Sequence, residues 1–151
     1  MRFTFPFEAL LNMKRNLEEL SQLRLAEKMR RLREIEETIQ GLIGEILANE
    51  KIYREKMTQG VTASEYLVYK QYEEECYKAI QRKEEEKEQT QKEIEAEQQT
   101  LISLMKERKM FERLKEKQWQ RFQYQMDRQD QKTIDEMVIT RYHPPSKPEL
   151  S

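Results

Sequence analysis

The chain has 151 residues, of which 38% are charged and 36% hydrophobic, with only three Gly and four Pro. A mean hydropathy of −1.05 leaves too little apolar material for a thick globular core. Lys plus Arg (28) almost cancel Asp plus Glu (29), so no global field favours nucleic acid or an anionic membrane surface. Leu, Ile and Met nevertheless recur at helical spacing, which a disordered chain has no reason to keep.

The opening Met1-Arg2-Phe3-Thr4-Phe5-Pro6-Phe7 is apolar, but Glu8, Lys14 and Arg15 cut it short of a signal-peptide core. No later stretch is long enough to span a bilayer, so direct membrane insertion is not expected. From Leu10 the residues Leu10, Met13, Leu17 and Leu20 are spaced three and four apart. Leu32, Ile35, Ile39, Leu42, Ile46 and Tyr53 resume that rhythm one residue out of phase. This pattern predicts a coiled-coil seam that slips near Ser21 to Arg31.

Gly60-Val61-Thr62-Ala63-Ser64-Glu65-Tyr66 reads as a stop followed by a start. Gly60 suits the residue just past a helix, Thr62 with Glu65 makes a capping box, and Val61 with Tyr66 a hydrophobic staple. The expectation is one unit over residues 1–143: a first helix of about 8–57, a turn at about 58–61 and a second helix of about 62–142. The Pro-containing tail 144–151 is expected to lack structure. At 1.5 Å per residue the helices would be roughly 75 and 120 Å long.

A short turn makes long helices antiparallel neighbours, pairing residues whose numbers sum to about 121. Segment 24–33 carries five cations and one anion, net +4, and its expected partner 84–97 carries seven glutamates and two lysines, net −5. Facing each other, these blocks disfavour shifted registers. The same alignment sets Ile46 against Cys76, Leu42 against Ile80, Leu17 against Leu104 and Leu10 against Phe111. Between Gln81 and Glu93 there is no apolar residue, and Gly41 and Gly44 lie nearby, so the middle should be weak and prone to bending. The expected fold is thus all-α, a long two-helix antiparallel coiled-coil hairpin with the C-terminal helix overhanging. Trp119, Phe122, Met126, Ile134, Met137, Val138 and Ile139 would have no mate within the monomer.

A two-stranded rod offers no enclosed pocket in which to shift a pKa or exclude water, so no catalytic site is expected. His143 is the sole histidine and Cys76 the sole cysteine. No intrachain disulfide can form, and neither a metal site nor a nucleophile–base pair can be assembled; no cofactor is implied. Segment 106–121 has seven basic and three acidic residues around Phe111 and Trp119. That composition could grip nucleic acid, but interrupting glutamates favour a solvated face, and no nucleic-acid partner is expected. Five tyrosines, Tyr53, Tyr66, Tyr69, Tyr72 and Tyr77, crowd the turn end, and Tyr72, Ala79 and Lys83 form a stripe beside the seam suited to docking.

Three segments in order carry a family resemblance: Phe3-Thr4-Phe5-Pro6-Phe7-Glu8-Ala9-Leu10-Leu11, then Tyr69-Lys70-Gln71-Tyr72, then Phe111-Glu112-Arg113-Leu114-Lys115-Glu116-Lys117-Gln118. Over residues 1–142 the chain resembles the flagellar export protein FliJ. The resemblance implies a cytoplasmic, non-enzymatic coiled coil, held at the inner face of the cell membrane through its partners and shaped like the shaft of a rotary ATPase. It further implies docking in the export ATPase ring, promotion of its assembly, linkage to the cytoplasmic domain of the export gate, and handling of export chaperones. By that analogy Met13, Lys14, Leu17, Trp119, Phe122 and Met126 would meet the ATPase, and Tyr72, Cys76, Ala79 and Lys83 the gate. A helical arm for nucleic acid and a purely structural coiled coil are the competing readings.

Overall fold

A computed structural model describes residues 2–142, so His143 and the proline tail lie outside the described residues. Two α-helices, α1 (Glu8–Gln59) and α2 (Ala63–Tyr142), pack against each other as an all-α hairpin, and no strand occurs among the described residues. Gly60 adopts φ 92°, a left-handed conformation that L side chains rarely take, and its N–H donates to the Met57 carbonyl at 3.4 Å. Thr62 Oγ1 then accepts from the Glu65 N–H at 3.2 Å, satisfying one orphan donor at the start of α2.

The described residues form two compact units, residues 16–104 and residues 2–15 with 105–142. In the first of these, antiparallel pairing is written in side-chain contacts. Lys28 Nζ meets Glu97 at 3.2 Å, Arg31 meets Glu93 at 3.9 Å, Lys87 meets Glu36 at 3.9 Å and the Tyr72 hydroxyl meets Glu45 at 3.0 Å. The basic and acidic blocks therefore face each other. Ile35, Ile39, Ile46, Cys76 and Ile94 are the buried apolar residues, joined by Ser21, Thr90 and Glu97. Opposite the stretch of α2 that lacks apolar residues, Ile35 and Ile39 of α1 are still buried. Lys83 and Lys87 are half-buried there with their heads on Glu86 and Glu36, an arrangement in which their aliphatic stems supply the cover.

The terminal unit contains the segment before α1. Phe3, Phe5 and Phe7 alternate along it. The Phe3 ring lies 5.2 Å from Trp119 and 5.5 Å from Phe122, Phe7 lies 6.3 Å from Phe111, and Phe5 is buried. The Glu8 carboxylate accepts from Lys115 Nζ at 2.9 Å. Such ring pairs contribute about 0.5 to 1.5 kcal/mol each beyond their burial. The expectation that Trp119 and Phe122 lack a mate is therefore corrected: a short aromatic arm, too irregular to register as a helix, reaches them. Met126 is half-buried, and the uncovered part of α2 follows it, with Ile134, Met137, Val138, Ile139 and Tyr142 all exposed.

The seam phase on α1 is also corrected. Leu11 is fully buried, and the buried line continues through Glu18, Ser21, Ile35, Ile39 and Ile46. These positions keep one heptad phase throughout, with no slip. Leu10, Met13, Leu17 and Leu20 are exposed beside it. Two terms favour this phase over the leucine-rich row. It keeps the apolar Ile35–Ile46 stretch in register, and it places Ser21 where its hydroxyl donates to Glu97 Oε1 at 2.8 Å.

Candidate partner-docking surfaces

A docking surface on a two-helix protein must be made of side chains that the helix pair leaves over. In the terminal unit Met13 is 45% exposed, and its neighbour Leu10 is 41% exposed. Lys14 is half-buried and pairs with Glu107 Oε2 at 2.6 Å; that oxygen is itself buried, and the ammonium is its partner. Trp119 and Phe122 stack at 5.8 Å under Phe3, while Met126 is half-buried. The ring cluster is thus a preformed, partly covered platform. In the other unit Leu17 is exposed to 39%.

The stripe on α2 is divided by the packing. Cys76 is buried in the seam, Ala79 and Lys83 are half-buried, and Lys83 Nζ pairs with Glu86 at 3.0 Å. Tyr72 alone of the four is exposed, at 40%. Its hydroxyl donates to Glu45 Oε2; that bond, and secondarily the contact with Cys76, pushes its pKa up to about 12. A partner meeting this stripe directly would therefore touch Tyr72, with Cys76 setting the helix spacing beneath it. Nearer the turn, Tyr53 packs on Tyr66 and Tyr69 at 5.9 and 5.6 Å, and Lys56 and Lys70 lie over the Tyr69 and Tyr66 rings.

The sharpest polar feature is the layer around Glu97. Its carboxylate accepts from Ser21 and from Lys28, at 2.8 and 3.2 Å. The Ser21 bond above all, with help from Lys28, holds its pKa below the ordinary 4.5 although burial opposes this. Among the described residues no cluster of three or more His, Cys, Asp or Glu could hold a metal ion, and no helix is long and apolar enough to cross a membrane.

The sequence model of the family described as "Flagellar FliJ protein" matches residues 3–147, nearly the whole chain. The chain belongs to the flagellar FliJ family. Family membership makes it a component of flagellar protein export, and the FliJ match runs from the aromatic arm through both helices. No curated protein and no solved structure matches the chain.

What sequence reasoning missed on these surfaces is the arm. Its signal was the alternation Phe3, Phe5, Phe7, a spacing that puts rings on one side of an extended segment, followed by rings at Phe111, Trp119 and Phe122 on the stretch of α2 with no helical partner.

Proposed function

We propose that this FliJ-family chain is the shaft-like adaptor of the export machine: its terminal unit docks in the export ATPase ring and promotes ring assembly and activity, and its turn-proximal unit meets the cytoplasmic domain of the export gate through Tyr72. On this reading the protein is a cytoplasmic monomer held near the membrane by its partners. The uncovered stretch of α2 past Met126 is where export chaperones are handled.

The observation that carries the reading is the exposure of Leu10 and Met13 on either side of the fully buried Leu11. Burying a large apolar side chain contributes about 1.5 to 3 kcal/mol, so two exposed neighbours on α1 are a reserve of affinity that the fold does not use. The aromatic platform of Phe3, Trp119 and Phe122 stiffens the same unit. A rigid presenting surface loses less entropy on docking.

The test is stimulation of the flagellar export ATPase by the full chain. Leu10→Ala with Met13→Ala should lower the apparent affinity roughly 10-fold or more, since 1.4 kcal/mol is one decade, while the circular dichroism of the variant matches the parent. Undiminished stimulation would remove this surface from the mechanism.

A further inference from the structure

Segment 106–121 mixes seven cations with three anions, and the fold sorts them by direction. All three glutamates are engaged. Glu107 meets Lys14, Glu112 meets Arg15 at 3.4 Å and Arg108 at 3.1 Å, and Glu116 accepts from Gln120 Nε2 at 3.3 Å. Arg108 and Lys115 are the two cations of the segment drawn into pairs. The remaining five, Lys106, Lys109, Arg113, Lys117 and Arg121, are exposed and have no ion pair or hydrogen bond among the described residues.

These five recur at intervals of three or four, which confines them to an arc of about 120° on the helix, on the side opposite the seam positions. They extend along about 22 Å of its length. Met110 lies within the row and is 58% exposed. The result is a one-cation-wide stripe with an apolar step in it, on a chain whose net charge is only −1.

We infer that the Lys106–Arg121 stripe is a docking surface for an acidic amphipathic helix of a partner protein. The charge pattern selects this occupant. Successive cations rise by about 4.5 to 6 Å, the same rise that separates glutamates spaced three or four apart on a partner helix, so a helix laid alongside can meet them in step. Met110 supplies the apolar contact that such a helix uses and a phosphate backbone does not. Nucleic acid is disfavoured because the rings that could stack on bases are occupied within the fold: Trp119 by Phe3 and Phe122, and Phe111 by Phe7. A second copy is disfavoured because its acidic block at residues 84–97 is broken by Lys87 and Lys92. The stripe lies on the face away from the Trp119 and Phe122 platform, so this inference stands apart from the ATPase reading.

The probe is a fluorescein-labelled helical peptide with Glu at every fourth position and Leu beside them, with a Gln-for-Glu peptide as control. Fluorescence anisotropy should show the full chain binding the Glu peptide at least ~10-fold more tightly than the Gln peptide, with affinity falling as salt rises. Lys109→Glu with Arg113→Glu and Lys117→Glu should abolish that preference, and the corresponding triple Gln variant should reduce it. Both should keep parental helicity, since these side chains are exposed and make no ion pair or hydrogen bond among the described residues. Equal binding of the two peptides, or an unchanged preference in both triple variants, would overturn the inference. So would an oligothymidylate of equal charge that binds more tightly than the Glu peptide, which would point to nucleic acid. Sedimentation showing that the chain self-associates through the stripe, reversed by the triple Glu variant, would overturn it in favour of a second copy.

Discussion

The two compact units answer the same problem, burying the inner faces of two helices, with different chemistry. Residues 16–104 use isoleucines interleaved with polar groups: Ser21, Thr90 and Glu97 are as buried as Ile94. The terminal unit uses Leu11 and a run of rings, with an irregular arm in place of a second helix over Trp119 and Phe122. Polar layers specify register because a shift by one heptad leaves a buried hydroxyl or carboxylate without its partner. Aromatic packing supplies more contact per residue and tolerates small displacements. The first unit is therefore built for alignment, and the second for stiffness and presentation.

The largest effect that would break this comparison is at Leu11. Truncation to Ala removes a fully buried side chain and should destabilise the fold by about 2 to 3 kcal/mol, the low end of the Leu→Ala range because a two-helix layer collapses readily. Met13→Ala, two residues away but exposed, should change stability by less than about 0.5 kcal/mol. Urea unfolding followed by circular dichroism measures both. Equal losses would mean that the exposed row contributes to the helix contact as much as Leu11 does.

A smaller effect isolates the polar layer. The pKa of Glu97 is lowered in the folded chain, so the stability it contributes is fully present above the unfolded value and is lost as pH falls through the folded one. Glu97→Gln should cost about 1 kcal/mol near neutral pH, a typical hydrogen-bond contribution. It should also flatten the decline in melting temperature below about pH 4.5. Parallel pH profiles for the parent and Glu97→Gln would show that the Ser21–Glu97–Lys28 contacts contribute nothing linked to protonation.

Much of the fold was legible because its strongest signals are local or composition-wide. Gly60, Thr62 and Glu65 mark the turn without reference to anything distant, and the opposed charge blocks at residues 24–33 and 84–97 fix the direction of pairing. The seam at the start of α1 was not legible, because counting leucines favours Leu10, Met13, Leu17 and Leu20 over a line containing Glu18 and Ser21. Only the pairing of Ser21 and Lys28 with Glu97, 69 or more residues away, shows why a polar line can be the inner one. The arm was missed for a related reason: periodicity analysis reads helices, and Phe3 to Phe7 precede the first one. On the docking surfaces, the exposure of Tyr72 and the burial of Cys76 opposite Ile46 both follow from the alignment of the two helices read in the sequence, whereas the half-burial of Lys83 depends on side-chain packing that periodicity does not show.

Site-specific photo-crosslinking of the full chain to the flagellar export ATPase separates the two units, with a photoreactive residue placed either at Met13 in the terminal unit or at the exposed Tyr77 near the turn. Docking through the terminal unit should give crosslinks to the ATPase from Met13, lost on adding excess unlabelled chain, and little or none from Tyr77. Crosslinking from Tyr77 with none from Met13 would contradict it, because the ATPase would then be meeting the unit built for alignment and not the one that presents the apolar surface.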